Sequence, residues 1–193
     1  MKAEIRRAVR RKVRTGTAMK LYHTGREEIR EPDIRRGRKN ADFGQGFYLT
    51  PDRDFTYRWA GTDSVVNVYE LDETGLQVLR LERNEEWFNA IFYNRRLQDT
   101  LQADVVIGPI ANDTIFDTFG IISSGYLEAA DAMKLLMIGP EYTQVVLKTE
   151  EAAGRLRWIG VETITGMDGE SRRAGQEQYQ AVFAETMERI LGE

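Results

Sequence analysis

Short apolar runs of strand length recur along this chain, and the helices between them do not alternate with them regularly. Residues 19–24 alternate, with Met19, Leu21 and His23 on one face and Lys20, Tyr22 and Thr24 on the other. Gly25 ends that strand, and a polar loop containing Pro32 and Gly37 follows. Residues 43–50 read as a second strand, opened by Gly44 and Gly46. Further strands are expected over 65–71, 104–110, 142–149 and 158–164. Helical spacing appears over 85–97, through Trp87, Phe88, Ile91 and Phe92, and again over 127–137. Pro51 and Asp52 suit the start of a helix carrying Phe55, Tyr57 and Trp59. A last helix lines up Tyr179, Val182, Phe183, Met187, Ile190 and Leu191, to pack on this chain or on another subunit. Strands outnumber strand–helix–strand units, so the expected class is α+β and not a doubly wound sheet. No GxGxxG or GxxxxGK[ST] is present, which leaves Rossmann and P-loop readings without their signatures.

With 193 residues and 41% hydrophobic content, the chain is long enough for one globular core. Three parts are expected: a basic helical arm over 1–18, a domain over 19–163, and a flexible link with an amphipathic helix over 164–193. The arm carries Lys2, Arg6, Arg7, Arg10, Arg11, Lys12 and Arg14, while the whole chain has a net charge of −4. A basic arm on an acidic body fits a nucleic-acid or acidic partner, or docks on the chain's own acidic surface. There is no cysteine and one histidine, so thiol nucleophiles, thiolate metal sites and paired-histidine metal sites are excluded. No apolar run reaches the roughly 18 residues needed to cross a bilayer, and the first residues lack the apolar core of a secretory signal. No membrane partner is expected, and the cytoplasm is the default location.

Chemistry is concentrated in a few places. His23 ends a strand beside Thr24 and Gly25, where a ligand can approach the backbone and an imidazole can bond a sugar hydroxyl; a half-buried packing role is the alternative. Tyr48 and Trp59 offer flat rings for a stacked ligand, or belong to the core. Arg38 and Asn40, in the polar loop, suit a pyrophosphate or are simply solvated. Asp104 marks a strand start, and Asp113 follows a buried strand as a turn or helix cap.

Taken in order, Tyr22-His23-Thr24-Gly25, Gly46-Phe47-Tyr48 and Thr56-Tyr57-Arg58-Trp59 resemble the ADP-ribosyltransferase superfamily, in particular its diphtheria-toxin and poly(ADP-ribose) polymerase branch. The stretches DFGQGFYLT, ADVVIGPIAND and QVVLKTEEA are similar to an uncharacterised bacterial family within it. The resemblance covers about residues 19–160. It implies a split β-sandwich with flanking helices, and NAD as substrate without a metal. His23 would bond the adenosine-side ribose, and the backbone of Thr24 or Gly25 would hold the nicotinamide carboxamide. Gly46 would belong to the binding strand, Tyr48 and Trp59 would sandwich the ring, and the Thr56 hydroxyl would meet the carboxamide. A third motif carries a glutamate at a strand start, and the matching residue here is Gln144.

Gln144 can bond the 2′-hydroxyl of the nicotinamide ribose but brings no negative charge. Either another acid supplies that charge, with Asp42, Asp113 and Glu141 as candidates, or the reaction is slow, or the domain binds without turnover. In the last case a Gln144→Glu variant is expected to gain activity. Tyr142 stands where arginine-modifying members carry a second acid, so the resemblance makes arginine a poor acceptor; the polymerase branch needs its third-motif glutamate for chain growth, so with Gln144 one ADP-ribose per site on a macromolecular acceptor is the expected product. The catalytic set implied by the resemblance is His23, Tyr48 and Gln144.

Overall fold

The computed structural model describes residues 18–59, 64–111, 129–136, 138, 141–163, 180–190 and 192. The basic arm before residue 18, Asp113, the flexible link over 166–175, and Tyr179 and Leu191 of the last helix lie outside them. The elements, in order, are β1 (Met19–Gly25), a 3-10 turn (Ile34–Arg36), β2 (Phe47–Leu49), α1 (Arg53–Trp59), β3 (Val65–Leu71) and β4 (Val78–Arg80). They continue with α2 (Glu85–Asn94), β5 (Val105–Pro109), α3 (Ala129–Leu136), β6 (Thr143–Leu147), α4 (Glu150–Gly154) and β7 (Leu156–Thr163). Residues 180–190 are helical.

The strands form two sheets, so the class is α+β as expected. One has the antiparallel order β1-β3-β7; the other has the order β2-β6-β5-β4, in which only the β4–β5 pair is parallel. Among the described residues the sheets meet through one antiparallel bridge, with Tyr22 N–H donating to Thr50 O at 2.8 Å and Thr50 N–H to Tyr22 O at 2.9 Å. Leu21, Tyr69 and Leu71 of the first sheet pack with Phe47, Leu49, Val105, Ile107, Val145 and Leu147 of the second. The opposite face of the second sheet, through Val106 and Val146, packs on Trp87, Phe88 and Ile91 of α2 and on Phe43. β5 and β6 are thus covered on both faces, which is why their sequences read as continuous apolar runs and not as alternation.

The structure departs from the expected elements where local chemistry overrides the apolar pattern. Only Phe47–Leu49 is strand in the segment 43–50. Gly44 sits at φ +79° in a turn closed by its N–H on Ala41 O at 2.9 Å, and the fully buried Phe43 drives this turn into the core. β4 is not visible in the sequence, because three residues are too few to show a period. α4 follows a cap legible in Thr149-Glu150-Glu151, with the Thr149 hydroxyl accepting Ala152 N–H at 3.2 Å. In the last helix, Phe183, Met187 and Ile190 pack on Leu135 and Ile138 of the same chain.

Candidate functional site

A cavity of about 600 Å³ opens where the two sheets diverge from the Tyr22–Thr50 bridge. His23 and Thr24 reach it from β1, Arg38, Asp42 and Gly46 from the loop, Tyr48 from β2, Thr56 from α1 and Gln144 from β6. Gly25 and Asn40 are not among its described lining residues, and the Trp59 side chain lies outside the described set. The cavity therefore gathers residues from three stretches far apart in sequence, including both His23 and Gln144.

His23 is fixed rather than free. Its Nδ1 stands 2.7 Å from the carbonyl oxygen of Tyr48. A carbonyl can only accept, so Nδ1 carries the proton and the neutral ring leaves Nε2 as an acceptor. Burial, the larger influence, pushes the imidazole pKa below its ordinary value, and the Tyr48 carbonyl only partly opposes this. The Phe47 ring lies 4.5 Å away at a tilt of 30° and completes the packing.

The Tyr48 hydroxyl accepts Phe43 N–H at 2.9 Å and donates to Gly44 O at 2.7 Å. Burial raises its pKa far above the usual phenol range. This hydroxyl is thus committed to shaping the loop, and what remains for a ligand is the ring. Lys148 Nζ locks the same loop from the strand end after β6, donating to Phe43 O at 2.7 Å while pairing with Asp99 at 2.7 Å. The space-saving role of Gly46 is also internal: a Cβ there would stand 2.5 Å from Leu147 O and 2.6 Å from a Val146 methyl. The space that a side chain at Gly46 would need is filled by the protein's own β6.

At the floor of the cavity, Gln144 is only 6% exposed. Its Nε2 donates to Asp42 Oδ2 at 3.2 Å and to Pro109 O at 3.1 Å. Its Oε1 makes no hydrogen bond with any described residue. Asp42 Oδ1 in turn accepts Arg95 Nε at 2.7 Å and lies 2.5 Å from Nη2, both side chains being nearly buried. Asp42 Oδ2 also accepts Ala111 N–H at 3.4 Å. Asp42, one of the acids named as candidates from sequence, is therefore beside Gln144 but neutralised by Arg95. Arg95 gives no signal in the sequence, because it follows a helix whose apolar stripe lies elsewhere.

The remaining wall is held by groups that sequence reasoning missed. Asn67, fully buried in β3, accepts Ile29 N–H at 2.8 Å and Trp158 Nε1–H at 3.2 Å and donates to Glu27 O at 2.9 Å. The Tyr69 hydroxyl donates to Ile29 O at 2.6 Å. These bonds bolt residues 27–29 to the sheet and set the position of Glu27 and Ile29 at the cavity. A lone asparagine inside the apolar run Val65-Val66-Asn67-Val68 is the available signal. The Thr24 hydroxyl donates to Thr56 O at 3.2 Å, and the buried Thr56 hydroxyl to Arg53 O at 2.5 Å. Arg36 and the exposed Arg38 line the same cavity and form no ion pair with a described residue, and Glu27, Glu31 and Asp33 are also among its lining residues. Among the described residues there is no group of three or more carboxylates and imidazoles that fits a metal ion, and no helix is long and apolar enough to cross a membrane.

A family model described as a protein of unknown function (DUF3990) matches residues 19–158, and the chain belongs to that family. No curated protein matches the chain.

Proposed function

Starting from that membership, we propose that the chain binds NAD in the cavity between its two sheets and transfers ADP-ribose to a macromolecular acceptor, on an ADP-ribosyltransferase-like split sandwich. The observation that carries the reading is the shared cavity. His23, Tyr48 and Gln144, matched to three separate motifs, line one space of about 600 Å³. That volume lies in the range of small-molecule sites, which is about 300–1,000 Å³. The polar groups fit a nucleotide's sugars. His23 Nε2 and Gln144 Oε1 are both acceptors open to a ribose hydroxyl. Arg38 lines the same cavity, where a pyrophosphate is the natural counter-charge. In the reaction, the bond between nicotinamide nitrogen and ribose C1 breaks, nicotinamide leaves with the electron pair, and an acceptor nucleophile bonds to C1 and gives up its proton. The test is incubation of the full chain with labelled NAD and cell lysate, with His23→Ala as control. Nicotinamide release and label transfer that both require His23 are expected; neither appearing with wild-type protein rejects the reading.

One observation favours a second reading, an NAD-binding module without turnover. The floor carries no uncompensated negative charge, since Gln144 is neutral and Asp42 is paired with Arg95. Charge stabilisation of a developing cation is commonly a large part of catalysis. Calorimetric binding of NAD without nicotinamide release distinguishes this module from the enzyme.

A further inference from the structure

We propose that Asp42, clamped by Arg95, is a positioning residue that fixes the sense of the Gln144 amide, so that the cavity floor offers a ligand an oxygen and not an N–H. The identity of the ligand group rests on the NAD reading above; the orientation of the amide does not.

A glutamine amide can turn half a revolution about its last torsion and exchange its nitrogen and oxygen. The neighbours decide which way it stands. On the inner side of Gln144 are two acceptors, Asp42 Oδ2 at 3.2 Å and Pro109 O at 3.1 Å. The reversed amide would point Oε1 at both of them and leave two N–H groups facing the cavity. Neither acceptor is free to turn away. Pro109 O also takes the Trp87 indole N–H at 2.8 Å, deep in the core. Asp42 is held from behind by Arg95 Nε and Nη2, which both reach Oδ1 and leave Oδ2 for Gln144. Arg95 is itself placed by the end of α2, where its backbone N–H meets Ile91 O at 3.0 Å. The chain of constraint thus runs from α2 through Arg95 and Asp42 to Gln144.

Two consequences follow. The floor selects a donor, and on the NAD reading that donor is the 2′-hydroxyl of the nicotinamide ribose. Asp42 is also not a substitute for a missing catalytic carboxylate, because its two oxygens are occupied by Arg95 and by Gln144 with Ala111 N–H.

The experiment uses the full chain as wild type, Asp42→Asn and Arg95→Lys. The asparagine introduced by Asp42→Asn offers one oxygen and one amide, so it can satisfy Arg95 or Gln144 but not both. Without ligand, the side-chain amide of Gln144 is followed by NMR, assigned through its loss in Gln144→Met. In wild type its protons should exchange slowly, and in Asp42→Asn at least about tenfold faster, the weight of one hydrogen bond. With ligand, calorimetry compares NAD with its analogue lacking the nicotinamide-ribose 2′-hydroxyl. Wild type should prefer NAD by about tenfold, and Asp42→Asn should lose that preference while binding the analogue within about twofold of wild type. A purely structural role would weaken both ligands alike, and that result overturns the proposal, as does unchanged protection of the Gln144 amide in Asp42→Asn. If wild-type protein binds no NAD, the NAD reading falls and the ligand-free NMR arm decides the positioning role. Should Asp42→Asn not fold, Arg95→Lys decides: a lysine keeps the charge but not the two-pronged grip, and faster amide exchange is again expected, unchanged exchange overturning the proposal.

Discussion

Replacing Gln144 with glutamate tests the floor most sharply, because the change is isosteric and alters only which atoms can donate and whether the group carries charge. In the native protein both amide hydrogens are used, on Asp42 Oδ2 at 3.2 Å and on Pro109 O at 3.1 Å. An ionised glutamate in the place of Gln144 would set a second carboxylate against Asp42. At that spacing, with an effective dielectric constant near 20, the repulsion is about 5 kcal/mol before any relief from Arg95. The alternative is to stay protonated. From an ordinary glutamate value of about 4.3, remaining neutral at pH 7 costs about 3.7 kcal/mol. The cheaper route, reduced by Arg95 and by relaxation, sets an expected loss of about 2–4 kcal/mol at pH 7. In acid the protonated carboxyl restores one of the two donated bonds, and the loss shrinks to about 1 kcal/mol. The sign follows from linkage. The variant carboxyl has a folded pKa raised above its unfolded one, so the folded state binds more protons and stability falls as pH climbs above about 4.3. Urea unfolding of wild type and Gln144→Glu, followed by tryptophan fluorescence at pH 4.5, 6 and 8, should show a gap that widens with pH. A variant within about 0.5 kcal/mol of wild type at pH 8, or a gap that narrows, would refute the hydrogen-bond account. The same argument attaches a stability cost to the variant for which the motif alone suggests a gain of activity: glutamate here should weaken the fold.

His23→Gln should flatten the acid side of the stability profile. Burial depresses the imidazole pKa below 6.5, so the unfolded chain takes up the proton first; this stability is fully present above that value and is lost as pH falls through the folded pKa. Equal acid sensitivity of wild type and variant in denaturant melts would contradict this. Gly46→Ala should cost about 1–3 kcal/mol, since the new methyl meets Leu147 O at 2.5 Å and only backbone movement can relieve it; an unchanged melting temperature would argue against that contact. Lys148→Met removes the donor to Phe43 O and the partner of Asp99. It should cost about 1–3 kcal/mol and, on the NAD reading, weaken NAD binding by loosening the loop that holds Tyr48, both measurable by calorimetry.

Much of the fold is legible in advance where a residue's neighbours along the chain determine its environment. β3 falls on Val65–Leu71, as its apolar run indicates, and β5 and β6 lie within the runs centred on Val106 and Val146. His23 stands out in the sequence as the single histidine, Gln144 is reached only through the motif resemblance, and both line one cavity. What cannot be read there is set by partners distant in sequence. Asp42 is one of several loose acids until Arg95, 53 positions on, fixes its role. Tyr48 looks like a ligand-stacking ring, but its hydroxyl is tied to the turn at Phe43 and Gly44. Gly46 reads only as part of a strand opening, and the need for glycine there comes from Leu147 O, which leaves no room for a side chain. The strand expected over 43–50 is shorter for the same reason, because burying Phe43 outweighs continuing the ladder.

The position of β6 within its sheet bears on how this protein is born. β6 lies between β2 and β5, and its residues 143–147 form the ladder partners of both. While the ribosome is still making the residues before β6, β2 has no neighbour in its own sheet. The cavity between the sheets then lacks its floor, because Gln144 has not yet been added. Contacts that span such long sequence separations close late and slowly. Nascent chains that stop short of β6 should consequently remain protease-sensitive and engage chaperones, with compaction arriving abruptly once β6 clears the exit tunnel.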